Sequence, residues 1–501
     1  MIVKRFSGMV ICSIVAFVAA AGNAAVYVSP AGSDDASGSQ SQPYATWAKA
    51  QTAVSAGDTV YFRAGTYTYT NSTTTCDTQT SIVSAVTLTK SGSSGKLIHY
   101  FAYPGENPIF DFYGMQDNCR IRAIDVSGSW IHMKGLEIRG LPQNNNLNHE
   151  NWGVLITGSN NIFELLNIHN IMGAGLFISK GDGNLVLNCD SYSNLDELTS
   201  NGAGESADGF GCHTTTVGTV GNTFRGCRAW WNADDGFDCI SCSSPVLVEN
   251  CWNWLNGYKP GTTTGIGNGN GFKMGGFGLP PTKYPSTIPQ HTIRNSVAFL
   301  NRAAGFYHNH HMASNNYYNN TGYKNGVNFN MLGYNLTDSS DVGMGKYRNN
   351  VAYSGTATSY GTGSFVDILN NTWDLSITVA NSDFLSVDTT GVFGPRKADG
   401  SLPDINFLRL SSGSNLIDKG VDVGLAYTGT KPDLGAYEYG ATRTIMPGRG
   451  VSSARAVMSS GAARYYDISG KKISSHAIDT KQGSFVYLMK AQGEQNCRVF
   501  V

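Results

Sequence analysis

Residues 230–242 read WWNADDGFDCISC. Asp234, Asp235 and Asp238 fall within five positions, in a chain where only 14% of residues are charged. Carboxylates crowded in this way repel one another, so the stretch is either a solvated turn or the holder of something positive. The choice depends on what the fold places beside it, which leads back to the elements that carry these residues.

Six segments share one design. NIFELLNIHN ends at Asn170, LVLNCDSYSN at Asn194, TFRGCRAWWN at Asn232, LVENCWNWLN at Asn256, TIRNSVAFLN at Asn301 and NYYNNTGYKN at Asn325. Each alternates apolar and polar residues over two short runs and closes on Asn. The closing residues are spaced 24, 38, 24, 45 and 24 apart, a unit of 24 with two insertions. That period is too short for a helical pair and fits one coil of a parallel β-helix. The closing Asn is expected to adopt the left-handed conformation at a corner and to bond its amide to the next Asn in the stack. At the front, an Ala-rich helix near 44–54 is expected to cap the open strand edges. PDLGAYEYG at 432–440 is expected to close the other end. The fold class is therefore all-β, a parallel β-helix solenoid with an N-terminal capping helix.

A second repeat runs beside the first: AGLF at 174–177, DGFG at 208–211, DGFD at 235–238, NGFK at 270–273 and AGFY at 304–307. Coils stack at about 4.7–4.9 Å. One column then reads Ala174, Asp208, Asp235, Asn270, Ala304, and another reads Phe177, Gly211, Asp238, Lys273, Tyr307. Asp208 is expected over Asp235, Asp238 beside Lys273, and Asp234 at the same corner. Four carboxylates with all-oxygen donors suit Ca²⁺, which accepts six to eight oxygens at about 2.3–2.6 Å. The carboxylates alone fit a structural calcium site as well as a catalytic one. Lys273 favours catalysis, because calcium and a lysine together suit β-elimination on a uronic acid. The proton at C5 lies α to a carboxylate, calcium acidifies it, and a neutral lysine removes it. A salt bridge between Lys273 and Asp238 is the plainer alternative.

The bulk properties are consistent with a secreted enzyme. Lys4 and Arg5, an apolar run from Gly8 to Ala21 and the small residues AGNAA read as a signal peptide over 1–24, and no other stretch looks transmembrane. The net charge is −1, with +2 in that leader and eight Lys/Arg against three Asp/Glu in 449–501, which leaves the body at about −8. An acidic body argues against nucleic acid as a partner. Of ten cysteines, Cys76 and Cys119 are the expected disulfide. Cys189, Cys227 and Cys251 are expected to stack as small buried residues, and Cys239/Cys242 form a CxxC without a second pair to complete a zinc site. The solenoid is assigned to 25–440 and a linker to 441–460. A small basic module with three short strands, broken by turns at Ser469–Gly470 and Gln492–Gly493, is assigned to 461–501. A monomer is expected.

ADGFGC, NADDGFDC and NGFKMGG resemble the motifs of polysaccharide lyase family 9, the pectate lyases on a right-handed parallel β-helix, and the likeness covers most of 26–440. The resemblance implies calcium held by Asp208, Asp234, Asp235 and Asp238, Lys273 as Brønsted base, polygalacturonate (pectin) as substrate, and secretion. The tail is similar to C-terminal sorting modules of Gram-negative bacteria, which implies contact with secretion machinery; a carbohydrate-binding or anchoring module is the alternative. A polyanionic substrate on an acidic body needs cations in its cleft, and Arg302, Lys259 and His308 are the candidates. Other readings are a lyase for another uronan such as alginate, a β-helix glycoside hydrolase using paired acids near 234–238, and a non-catalytic glycan-binding solenoid.

Overall fold

The computed structural model describes residues 24–70, 82–115, 119–142, 150–199 and 202–441, together with the backbone of four short strands beyond them. The signal-peptide and linker assignments lie outside the described residues, apart from Ala24 and Ala441. The chain divides into two units, Met1–Ile445 and Met446–Val501.

The first unit is a right-handed parallel β-helix. Each coil gives one strand to each of three sheets. One sheet runs from Ala25–Val28 to Ser340–Arg348 and Phe365–Leu369. A second runs from Ile82–Leu88 to Thr356–Ser359, and a third from Gly65–Thr68 to Val351–Tyr353. Pairing along the stack is parallel and in register, with an antiparallel hairpin where Leu332–Asn335 meets Ser340–Arg348. The alternating sequence explains the burial. In Asn222–Arg225, Asn222 and Phe224 point inward while Thr223 and Arg225 face out.

The Phe of each DGF-type motif builds the interior. Phe210, Phe237, Phe272 and Phe306, followed by Phe329 of the next coil, stack one over another, with ring centroids 5.0, 4.8, 5.2 and 4.7 Å apart. A one-residue slip would turn every ring to the outside, so this column fixes the register of everything beside it. The asparagine ladder is present from Asn194 onward. Nδ2 of Asn194, Asn232, Asn256 and Asn301 donates to Oδ1 of the next Asn at 2.9, 3.0, 2.9 and 2.9 Å. Two expectations need correction. Asn170 stands one position short of the ladder, because Ile171 is the residue that donates to Asn194 Oδ1, at 3.1 Å. The left-handed residue is also not the ladder Asn but the one before it: Ser193, Trp231, Leu255, Leu300 and Lys324 have φ between 50° and 56°. The turn at that residue directs the Asn inward, where its amide meets both neighbours.

The N-terminal helix spans Trp47–Ala53. It starts later than 44 because Asp34 Oδ1 holds the backbone N–H of Ala45 and Thr46, both at 3.0 Å. Thr46 then caps the helix through Lys49 N at 3.1 Å. Trp47 plugs the core against Phe62, Phe110 and Tyr100. The 432–440 segment does not close the end. With the preceding irregular chain it covers the outer side of the third sheet, where Phe393 packs on Trp231 and Trp254, Phe407 packs on Phe299, and Leu434 is buried. These aromatic side chains are too large to leave in water.

Cys119 is buried and disulfide-bonded. Its expected partner, Cys76, lies outside the described residues. Cys189, Cys227, Cys251, Cys212, Cys239 and Cys242 are buried and free.

Among the described residues the second unit shows four strands, where three were expected. Lys472–Ile473, Tyr465–Tyr466, Tyr487–Met489 and Arg498–Phe500 lie in that order in an antiparallel sheet. The run between the two expected turns, read as one strand, holds two, Lys472–Ile473 and Tyr487–Met489, and each of them pairs with Tyr465–Tyr466.

Candidate active site

Three very short strands of the second sheet, Phe210–Cys212, Phe237–Asp238 and Phe272–Lys273, carry Asp238 and Lys273, and the turns that lead into the first two carry Asp208, Asp234 and Asp235. The phenylalanines point in, so the residues flanking them point out. Register pairs Gly211 with Asp238, Asp238 with Lys273, and Lys273 with Tyr307. Asp235 N donates to Asp208 Oδ1 at 3.2 Å, which places the two carboxylates on adjacent coils.

Asp208, Asp234, Asp235 and Asp238 are all at most 4% exposed, and Lys273 is 9% exposed. Backbone donors orient the acids. Asn268 N reaches Asp234 Oδ1 at 3.2 Å, Asn270 N and Nδ2 reach Asp235 Oδ1 at 2.6 and 2.9 Å, and Ile240 N reaches Asp238 Oδ1 at 2.7 Å. Lys273 Nζ lies 3.0 Å from Asp238 Oδ2 and 3.1 Å from Asp235 Oδ2. One ammonium thus faces four buried carboxylates. Burial, then repulsion from Asp234, Asp238 and Asp235, pushes the Asp208 carboxyl well above its ordinary range. Burial and Asp235 do the same to Asp234. Burial alone would lower Lys273, but Asp235, Asp238, Asp234 and Asp208 outweigh it and hold its proton tightly. Asp238 is the exception: against burial, Lys273 and His213 keep it below the usual carboxylate range.

His213 escaped the sequence reading. It stands two residues beyond Gly211, with Nε2 3.5 Å from Asp238 Oδ2 and its ring packed edge-on against Phe177 at 4.6 Å. Gly211 makes room for this, since a Cβ there would lie 2.5 Å from the Phe177 ring. Extending the outward column by one further alternation would have found the histidine. Asp208, Asp234 and Asp235 each offer an oxygen within 4.8 Å of the others, and Asp208, His213 and Asp238 offer a second such group. No cysteine belongs to either group among the described residues, and Cys242 of the CxxC touches Cys212 at 3.7 Å instead.

Of the three cations expected in the cleft, His308 is turned into the core, while Lys259 and Arg302 lie along the insertions. His308 is fully buried beside Tyr317, with Nδ1 3.3 Å from the hydroxyl; it follows the outward Tyr307 and therefore points in. This corrects its assignment to the cleft. Lys259 is ion-paired with Glu197 at 2.6 Å, which joins the two insertions. Arg302 is exposed but donates to Gly267 O, and its side chain lies against Gly257, Gly265 and Gly269. The insertions at 195–207 and 257–269 pack together through Leu195, Ala207 and Ile266, with Ala233 between. Asn268 Nδ2 ties them again through Glu205 at 2.7 Å. Both insertions end beside Asp208, Asp234 and Asn270, so they wall one side of the carboxylate corner.

Residues 26–350 match the family model described as Pel9A-like, right handed beta helix region. Pectate lyase L of Dickeya chrysanthemi is 34% identical over 421 residues, covering 82% of this chain and 90% of that protein. Pectate lyase PEL9 of Emericella nidulans is 30% identical, covering 78% and 93%. Among solved structures, one described as rhamnogalacturonan lyase aligns with TM-score 0.72 and 37% identity, over 78% of this chain and 97% of that one. The crystal structure of pectate lyase Pel9A aligns with TM-score 0.69 and 33% identity, over 83% and 97%. With the carboxylate corner and its lysine on an outward sheet face of such a solenoid, the chain belongs to the Pel9A-like right-handed β-helix family, polysaccharide lyase family 9, and is a polysaccharide lyase.

Proposed function

We propose that this enzyme is an exported, calcium-dependent pectate lyase that cleaves polygalacturonate by β-elimination at the corner formed by Asp208, Asp234, Asp235, Asp238 and Lys273. The observation that carries this reading is the charge imbalance: four buried carboxylates share one ammonium. Burying unpaired charge is costly, and the raised Asp208 and Asp234 register that cost. A divalent cation fits the imbalance, and an all-carboxylate donor set fits calcium. Asp208, Asp234, Asp235 and Asp238 would hold it. Bound there, calcium supplies positive charge to a substrate carboxylate and so acidifies the neighbouring C5–H.

The remaining chemistry belongs to the chain. Lys273 Nζ sits at the rim of the carboxylate corner, where it can meet a C5 proton and remove it when neutral. Asp235 and Asp238 fix the position of that nitrogen. These same carboxylates hold its proton, so their neutralisation is the condition for a free amine. Asn270 holds Asp235 from the far side, which keeps its Oδ2 on Lys273.

The test is ultraviolet absorbance from unsaturated product on polygalacturonate. It should be lost with chelator and restored by Ca²⁺ but poorly by Mg²⁺, which demands a tighter octahedral site. Full activity in metal-free protein would overturn the calcium assignment. New reducing ends without that absorbance would indicate a hydrolase. The neighbour described as rhamnogalacturonan lyase supports rhamnogalacturonan as a second substrate reading; relative rates on the two polymers decide it. The leader-like residues 1–24 support export, and the second unit supports an address read by secretion machinery.

A further inference from the structure

Elimination needs an acid as well as a base. When the C4–O bond breaks, the departing sugar oxygen is a poor leaving group unless it receives a proton. The carboxylates are committed to the cation in the reading above, and Lys273 takes a proton rather than giving one. The next residue in the outward column is Tyr307, directly opposite Lys273 on the following coil. It is partly exposed. Among the described residues its hydroxyl has no hydrogen-bond partner, and its ring meets only the edge of His310, 6.4 Å away.

The lysine leans the other way. Its Nζ reaches back to Asp235 and Asp238 on the preceding coil. A sugar ring entering between amine and phenol therefore has a base on one face and a hydroxyl on the other. In a galacturonate unit the C5–H and C4–O bonds point to opposite faces of the ring, so elimination there requires this division. We propose that Tyr307 is the general acid that protonates the departing O4 oxygen. The assignment rests on the lyase reading with Lys273 as base.

The step balances. The Nζ lone pair takes the C5 proton, the C5–H electrons form the C4–C5 double bond, and the C4–O bond breaks. The oxygen takes the phenolic proton, and the new ammonium returns a proton to the phenolate. One proton has moved from C5 to O4, and no oxidant or co-reactant is consumed. Burial raises the Tyr307 hydroxyl to about 12, against a lowering by Lys273, so it stays protonated in alkaline solution. On the other flank, His213 faces Asp238 rather than the lysine and is the competing donor.

The experiment uses Tyr307→Phe, which keeps the ring, and His213→Gln in parallel, at saturating Ca²⁺. Two substrates are compared: polygalacturonate, and a synthetic galacturonide carrying 4-nitrophenoxide at C4, which departs without a proton. Tyr307→Phe should lower kcat on the polymer by about 10²–10⁴-fold, leave KM and the melting temperature nearly unchanged, and lose less than about tenfold on the activated substrate. A polymer kcat close to wild type would overturn the assignment, as would equal losses on both substrates. A leaving-group-dependent loss in His213→Gln alone would give the role to the histidine. Lys273→Ala should be inactive on both substrates. Absence of unsaturated product from the wild-type enzyme would overturn the lyase reading itself, a result distinct from a selective failure of Tyr307→Phe.

Discussion

Lys273 carries a contradiction that only its surroundings resolve. A base must be neutral, yet burial, which would free the amine, is outweighed by Asp235, Asp238, Asp234 and Asp208. Neutralising those carboxylates removes the opposing effect. Activity should therefore rise with pH at saturating Ca²⁺, and limiting Ca²⁺ should displace the profile further toward alkaline pH. An identical profile at both calcium levels would separate the lysine from the metal site. Lys273→Ala should abolish unsaturated product while retaining calcium binding by titration calorimetry. Lys273→Arg should recover little, because guanidinium holds its proton more tightly and presents a longer, forked head. Near-wild-type turnover in either variant would assign the C5 proton to another residue. The sequence exposed these five positions because they recur at one place in consecutive repeats, so stacking follows from spacing. It hid His213, which lies just outside the repeated motif, and it misplaced His308. Strict alternation from Tyr307 already turns His308 inward, whereas proximity in sequence suggested a cluster.

At the level of elements, two devices hold the corner: the asparagine ladder inside and the paired insertions outside. The ladder was legible as a 24-residue period with two longer gaps. The left-handed residue was not, because Leu, Trp and Lys are poor markers of positive φ and accept it only where the inward Asn bonds compensate. Asn256 illustrates the compensation. Its Oδ1 accepts from Asn232 N and Nδ2, and its Nδ2 donates to Asn301 Oδ1 and the Ala229 carbonyl. Asn256→Ala would strand buried donors and acceptors at a cost on the order of 3 kcal/mol, read as a lowered denaturation midpoint. Lys259→Ala should behave differently. Its pair with Glu197 is roughly half exposed on both sides, and exposed pairs contribute little. The midpoint should hold, and KM on polygalacturonate should stay within about twofold, as a surface ion pair of that worth implies. A large rise in KM would return Lys259 to the substrate cleft. The length of each insertion was visible in the sequence. Their packing against each other was not, since Ile266 meets Ala207 and Leu195 only after the intervening coil is wound.

Across the whole molecule, two sets of buried titratable groups respond to pH in opposite directions. Burial lowers His291 and His308 well below their ordinary value and takes His311 down to about 4. For a depressed histidine the unfolded chain binds the proton first. Stability is then full above about 6.5, the unfolded value, and is lost as pH falls toward 4. Asp208 and Asp234 are raised instead. In the metal-free protein they take up protons in the folded state, which relieves their repulsion as pH falls and offsets part of the histidine loss. Calcium removes that offset by neutralising the carboxylates at neutral pH. At pH 8, calcium should raise the melting temperature, with about 2.7 kcal/mol expected at a hundredfold excess over its dissociation constant. Between pH 6.5 and 4 the calcium-loaded protein should lose melting temperature more steeply than the chelated one, because proton competition for the carboxylates then adds to the histidine term. Melting curves across that window, with and without chelator, make the comparison. An equal or shallower slope with calcium would mean that the acidic corner and the buried histidines do not oppose each other in the way their burial and neighbours require.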